Sequence, residues 1–95
     1  MASDVVNILP VLFARRIAGE LLRRKGPDYF TVAERRGPSF RLDPGKLDLV
    51  VELARRDATR LSPAMPPSAR DLRFCRRQLR RDVIRQVTTG MAPGL

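Results

Sequence analysis

The chain has 95 residues, with 19 Lys and Arg side chains against 10 Asp and Glu, which gives a formal net charge of +9. A chain of this length forms at most one domain, and its hydrophobic core is thin. It contains no histidine and one cysteine, Cys75, which excludes an internal disulfide and a zinc site built from thiolates. The commonest general base is also missing. We therefore expect a non-enzymatic protein without a cofactor or a small-molecule substrate, whose partner is a polyanion.

The first segment, residues 1–26, is predicted to be a helical extension. Its apolar residues recur at three- and four-residue steps, which indicates a helix over residues 4–25. Pro10 places the start of the regular part near residue 9, and Gly26-Pro27 ends it. Its cations and apolar stripe are similar to those of an organellar transit peptide, but two acidic residues favour a helix that is retained.

The apolar stripe of this helix offers more surface than a thin core needs. It packs either onto the next helix or onto a neighbouring protein. In the second case, the predicted docking residues are Leu9, Leu12, Phe13, Ile17 and Leu21.

Residues 27–45 are predicted to form an irregular linker, because three Gly-Pro or Pro-Gly pairs interrupt it or border it. A short extended segment is possible from Tyr29 to Val32. No internal repeat is present.

Residues 46–61 predict the clearest core helix, with Asp43 as its N-cap and Pro44 in its first turn. Ion pairs along the helix, such as Asp48–Arg55 or Glu52–Arg56, explain its acidic residues better than a catalytic role does. The predicted core face comprises Leu47, Val50, Val51, Ala54, Ala58 and Leu61.

A proline-rich connector then leads to the last helix, predicted over residues 69–88 and capped by Ser68. Its narrow apolar stripe comprises Leu72, Cys75, Leu79, Val83 and Val87. The chain is thus predicted to be a small all-α protein of three helices with long irregular connectors and tails. Because its apolar content is low and its arginines repel one another, we expect it to be ordered mainly within a ribonucleoprotein.

The positive charge is concentrated near the C-terminus. Residues 69–95 carry a net charge of +5 and residues 1–26 carry +3, whereas residues 27–45 are neutral and residues 46–68 carry +1. Six arginines of the last helix lie off its apolar stripe, and Asp82 is the one acidic residue among them. Their mutual repulsion is relieved by phosphates, which guanidinium groups bind in a planar, bidentate manner.

RNA is the favoured partner, bound by backbone and shape, because the helix shows no clear pattern for reading DNA bases. The predicted RNA-binding residues are Arg73, Arg76, Arg77, Gln78, Arg80, Arg81 and Arg85.

The segment Arg77 to Arg85, which reads RQLRRDVIR and is followed by Met91-Ala92-Pro93, resembles the C-terminal helix of the bacterial-type small ribosomal subunit protein 18. That family reads R-Q-L-x-R-x-I-x-R and ends in a short apolar-Pro sequence. Leu42-Asp43 also stands where the family has I-D. The resemblance covers roughly residues 40–95, so residues 46–95 are interpreted as the family's core. The proline-rich connector lacks the family's arginine and Thr-Gly, and the N-terminal segment is unrelated.

The resemblance implies a structural component of the small ribosomal subunit that supports its assembly and translation. Its partners would be the small-subunit rRNA and neighbouring proteins, notably ribosomal protein 6, with no membrane contact. Arg77, Arg81 and Arg85 would contact rRNA phosphates, Gln78 would help orient them, and Leu79 and Val83 would pack on the preceding helix. Such divergence is more typical of an organellar member, which indicates the mitochondrial matrix, with the bacterial cytoplasm or a plastid as alternatives.

Two other functions are compatible with the sequence. A small accessory subunit of an organellar membrane complex would use the same arginines on acidic protein surfaces or anionic lipid. A helix-turn-helix regulator is less compatible, because a rigid proline-rich connector stands where a tight turn is expected.

Overall fold

The computed structural model describes residues 2–33 and 40–90, with side chains described over residues 10–32 and 41–89. Three helices dominate it: α1 (Ala2–Lys25), α2 (Pro44–Leu61) and α3 (Ala69–Gly90). Helix α1 packs against both α2 and α3, and α2 also packs against α3. The predicted fold, a small all-α protein of three helices, is confirmed.

The connection between α1 and α2 is more regular than the sequence predicted. A 3-10 helix (Pro27–Phe30) leads into β1 (Thr31–Ala33), which pairs in antiparallel fashion with β2 (Phe40–Leu42). The expected extended segment therefore begins two residues later than Tyr29. Pro27 lies in the first turn of the 3-10 helix, and Phe30 is fully buried at its end, so packing of this ring favours the compact turn.

The second strand of the sheet, β2, leads directly into α2. Arg41 pairs with Val32 across the strands, and the amide N of Asp43 donates to the carbonyl O of Phe30 at 2.9 Å. The carboxylate of Asp43 then accepts from the amide N of Gly45 at 2.9 Å and of Lys46 at 3.3 Å. The predicted N-cap is confirmed, and it satisfies amide groups that have no partner within the helix.

The predicted cap of α3 is also confirmed. The amide N of Asp71 donates to the hydroxyl of Ser68 at 3.1 Å, and the amide N of Ser68 donates to the carboxylate of Asp71 at 2.9 Å. This reciprocal pair is a capping box, with aspartate in the position that glutamate usually occupies. The capping box determines where the proline-rich connector ends and α3 begins.

Helix α1 differs from the prediction in its start and in its buried face. It begins at Ala2, and Pro10 lies inside it and is buried. Among the side chains of α1 that the structure describes, the buried ones are spaced by four: Pro10, Ala14, Ala18 and Leu22. Small side chains at this spacing allow close approach of the neighbouring helices, and the larger apolar residues of the predicted stripe lie beside this face.

The core combines residues of all three helices and the 3-10 helix. Leu61 was predicted on the core face of α2 but is 67% exposed, because it is the last residue of that helix. The apolar stripe predicted for α3 is confirmed, since Leu72 and Val87 are partly buried at its two ends. The buried hydrophobic residues of this core are Ala14, Ala18, Leu22, Phe30, Leu47, Val50, Val51, Ala54, Ala58, Cys75, Leu79 and Val83.

Both lysines of the chain meet at one aromatic ring beside this core. The Nζ atoms of Lys25 and Lys46 each lie 4.4 Å from the ring centroid of Tyr29. Tyr29 in turn makes an edge-on contact with Phe30, with ring centroids 5.1 Å apart. These cation–π contacts join the end of α1 to the start of α2.

The acidic residues of α2 form different ion pairs from those expected. Asp48 bonds to Arg76 of α3 across 2.6 Å rather than to Arg55, and Glu52 bonds to Arg55 rather than to Arg56. The hydrogen bond from Arg55 holds the pKa of Glu52 below its usual value. The Asp48–Arg76 contact is a tertiary one, so its geometry depends on how α2 and α3 pack and not on spacing along one helix.

Candidate nucleic-acid interface

The orientation of α3 is set by its buried face. Cys75, Leu79 and Val83 are each at most 3% exposed and follow one another at four-residue steps. Residues half a turn away must point outward, because each residue rotates about 100° around a helix axis. The side of α3 that faces solvent is therefore determined by these three residues.

Four arginines occupy that outward side at four-residue intervals, and we call them the outer arginine row: Arg73, Arg77, Arg81 and Arg85. All four are exposed, and within the described part of the chain none of them makes an ion pair. From Arg73 to Arg85 the row covers twelve residue steps, or about 18 Å of helix. It is a continuous positive strip, because Asp71 is engaged in the cap and Asp82 lies off the row and is half-buried.

One aromatic side chain lies within this strip. The Cζ atom of Arg77 is 6.0 Å from the ring centroid of Phe74, which is 36% exposed. An exposed ring next to guanidinium groups offers a surface on which a base can stack. The sequence places Phe74 near the basic residues, and the structure adds that its ring adjoins the outer arginine row.

The protein surface at the C-terminal end of the outer arginine row is slightly concave. Arg81, Ile84, Arg85, Thr88 and Thr89 line a shallow depression of about 410 Å³. The hydroxyl of Thr89 donates to the carbonyl O of Arg85 at 2.8 Å, so it is held against its own helix. The depression therefore offers two guanidinium groups beside an apolar surface.

The three remaining predicted RNA-binding residues do not belong to the outer arginine row. Arg76 and Arg80 lie on the flank of α3 that faces α2, where Arg76 meets Asp48. Gln78 is half-buried and lies about 160° around the helix from Arg76. The seven predicted residues thus divide into one outward row and two flanks.

The flank with Arg76 and Arg80 borders a cleft of about 400 Å³ between α3, β2 and the start of α2. Arg41 of β2 also lines it, together with apolar residues of all three elements. Sequence reasoning missed Arg41 as a functional candidate, because it lies in a segment of zero net charge far from α3 along the chain. Only the folding of the sheet against α2 brings it to this position.

The predicted docking residues of α1 fall into three groups. Leu12 and Phe13 are 47% and 36% exposed, whereas Ile17 and Leu21 are partly buried against the core. The side chain of Leu9 lies outside the described residues. A groove of about 340 Å³ runs beside Phe13, Ile17, Leu21 and Leu61, with charged walls formed by Arg16, Glu20, Arg24 and Asp57.

Cys75 is a buried apolar residue, as predicted. It is 1% exposed, and burial raises the pKa of its thiol to about 11, against a smaller opposing effect of the Arg15 charge. A thiol of such high pKa is almost fully protonated at neutral pH and is a poor nucleophile.

Two further observations concern the described residues alone. They contain no group of three or more His, Cys, Asp or Glu side chains that could hold a metal ion. None of their helices is long and apolar enough to cross a membrane. No family model, curated protein or solved structure matches the chain.

Proposed function

We propose that the protein is a non-enzymatic RNA-binding component of the small ribosomal subunit, which holds rRNA phosphates against the outer arginine row. The observation that carries the proposal is the row itself: four exposed arginines on one side of α3, without an acidic partner among the described residues. Like charges four residues apart on a helix repel one another. Phosphates remove that repulsion, and the release of their counterions adds affinity.

Arginine suits this role better than lysine would. Its planar fork binds a phosphate through two nitrogens and can also stack on an exposed base. All the cations on α3 are arginines, and Phe74 provides a ring beside them. These features favour recognition of the backbone and shape of RNA over the reading of individual bases.

The ribosomal part of the proposal rests on the resemblance of Arg77 to Arg85 to the small-subunit protein 18 family. In support of it, Leu79 and Val83 lie in the core while Arg77, Arg81 and Arg85 lie outside, which is the division that the resemblance implies. The family's apolar-Pro ending, Met91 to Pro93, lies outside the described residues. The proposed partners are small-subunit rRNA and ribosomal protein 6, in a mitochondrial ribosome.

Helix α1 has a separate role in this proposal. Leu12 and Phe13 form its exposed apolar surface and would dock on a neighbouring protein of the same subunit. The charged residues around the adjoining groove, two arginines and two acids, would fix the orientation of that neighbour.

The proposal is tested by replacing three residues of the outer arginine row with glutamine, R77Q/R81Q/R85Q. The matched control R16Q/R24Q/R56Q removes the same net charge from exposed positions on α1 and α2. We expect the first variant to reduce the slope of log affinity for structured RNA against log salt by about 0.7–0.9 for each lost contact, or about 2–3 in all. Equal slopes for the two variants would refute the assignment of this surface.

Co-sedimentation tests the ribosomal part. We expect the full chain to follow the small-subunit peak of a mitochondrial lysate and to be released by high salt or nuclease, with R77Q/R81Q/R85Q found at the top of the gradient. Sedimentation with the membrane fraction, unaffected by nuclease, would refute the ribosomal proposal in favour of a membrane-complex subunit.

A further inference from the structure

The cleft between α3, β2 and the start of α2 has a composition that the outer arginine row does not share. Three arginines from two separate elements line it: Arg41 of β2, and Arg76 and Arg80 of α3. Its other lining residues are apolar, namely Leu42, Pro44, Leu47 and Ile84. Charged groups beside apolar residues, in a concave site of about 400 Å³, are typical of a site for a small anionic group carried on an organic molecule.

One of the three guanidinium groups is held in place by the protein. The Nε atom of Arg76 donates to Oδ1 of Asp48 at 2.6 Å, and the Arg76 side chain is 36% exposed. The structure gives its two terminal nitrogens no hydrogen bond to another described residue, so they are available to a ligand. Positioning one guanidinium in advance lowers the entropy cost of binding.

Arg80 follows Arg76 by four residues, which places it one helical turn along the same wall. It is exposed and, within the described residues, makes no ion pair. Arg41 lines the cleft from the side of the sheet. An anion placed beside Arg76 and Arg80 would be attracted by both guanidinium groups of this wall.

The amide groups at the start of α2 do not complete such a site. Those of Gly45 and Lys46 already donate to Asp43, and the ammonium of Lys46 lies over the ring of Tyr29. An anion in the cleft would therefore be bound by the arginines. Leu42 and Ile84 also line the cleft and are half-buried, so their exposed parts offer apolar surface to a sugar or base, whereas Leu47 is only 2% exposed.

We infer that this cleft binds one phosphate group of a nucleic acid through Arg41, Arg76 and Arg80, with the adjoining nucleoside against Leu42 and Ile84. The inference rests on the proposed function for the identity of the polymer as RNA. It adds a second contact, made by a pocket in the fold and distinct from the outer arginine row. The phosphate could be a terminal monoester or an internal diester, because both present the same oxygens to a guanidinium group.

The first experiment uses inorganic phosphate as the probe and the full chain labelled with ¹⁵N. The Nε–Hε signals of arginine are followed during titration with phosphate, with chloride at equal ionic strength as the reference. We expect the signals of Arg41, Arg76 and Arg80 to shift and saturate together, while Arg56, on the exposed side of α2, shifts little. Equal shifts of all arginines would overturn the inference.

The second experiment distinguishes the two sources of the phosphate. Binding of one RNA oligonucleotide, with and without a 5′-phosphate, is measured for wild type, R41Q, R80Q and the control R56Q. If the cleft takes a terminal phosphate, wild type prefers the phosphorylated form about tenfold, and both cleft variants lose that preference. If it takes an internal phosphate, wild type has no preference, and both cleft variants bind about three- to tenfold more weakly than R56Q.

The inference would be overturned if R41Q and R80Q both bound the two oligonucleotides as R56Q does. Two cleft variants are used so that the test still holds if one of them fails to fold. A failure of the proposed function would be recognised by a different result. In that case R77Q/R81Q/R85Q would match its charge-matched control, whatever the phosphate titration of the cleft shows.

Discussion

Neutralising the outer arginine row is expected to make the free protein more stable. The row contains three pairs of arginines four residues apart: Arg73–Arg77, Arg77–Arg81 and Arg81–Arg85. Each such pair destabilises a helix by about 0.2–0.5 kcal/mol. The variant R77Q/R81Q/R85Q removes all three repulsions, and glutamine has a helix propensity close to that of arginine. The free energy of unfolding should therefore rise by about 0.6–1.5 kcal/mol.

Salt provides an internal check on this magnitude. Successive members of the row are about 6 Å apart along the helix axis. The Debye length falls from about 10 Å at 0.1 M salt to about 3 Å at 1 M, so high salt should remove most of the difference between the variant and wild type. In a domain of this size, the low-salt difference corresponds to a melting temperature higher by about 2–12 °C.

The assay is urea unfolding followed by circular dichroism, at low salt and at 1 M salt. The control is R55Q, which removes an arginine that is bonded to Glu52 and should therefore lower stability slightly, the opposite direction. A triple variant that is no more stable than wild type at low salt would refute the reasoning. It would mean that these arginines do not destabilise the free protein, so repulsion among them would no longer support a role in binding phosphates.

Three further predictions concern the fold and α1. D43A should lower the free energy of unfolding by about 1 kcal/mol because α2 loses its N-cap, whereas D43N should retain most of it; equal urea midpoints for the two variants would contradict the cap. Burial raises the pKa of Cys75 from 9.0 to about 11, so the neutral thiol is favoured in the folded state. Wild type should lose stability relative to C75A as the pH rises from about 9 to 11, by up to about 1.4 kcal/mol per pH unit, and parallel pH profiles would argue against this. The double variant L12S/F13S should keep its RNA affinity but capture less of its neighbouring ribosomal proteins in a pull-down; loss of both activities together would count against a separate docking surface.

The helix ends could be predicted because their signals are local. Asp43 and Ser68 act on amide groups two or three residues away, so the sequence contains the whole interaction. Gly26 ends α1 with a φ of 81°, a conformation that glycine adopts without strain. The apolar stripe of α3 was equally clear, since its polar side consists almost entirely of arginines.

The buried face of α1 could not be predicted in the same way. Ala14 and Ala18 add little to a hydrophobic pattern, whereas Leu12 and Phe13 dominate it, yet the alanines are the residues enclosed. Which side of a helix is buried here depends on how closely its neighbours approach, and that distance is a property of the packed helices. The role of α1 in the core also means that deleting residues 1–26 would expose buried residues, so point substitutions are the sharper test of docking.

The cleft was hidden from sequence reasoning for a related reason. Arg41 lies in a segment whose net charge is zero, and 35 positions along the chain separate it from Arg76. No periodicity connects two such residues. Their proximity depends on the register of β2 with β1 and on the packing of α2 against α3, which are both tertiary properties.

The contact of Lys25 and Lys46 with the Tyr29 ring has a practical consequence for covalent chemistry. These are the only lysines in the chain, so the side-chain amines lie together where the end of α1 meets the start of α2. A short amine-reactive cross-linker would join them within one molecule and hold these two helix ends together covalently. The RNA-binding arginines would stay unmodified, so the cross-linked protein would show directly whether binding requires α1 and α2 to move apart.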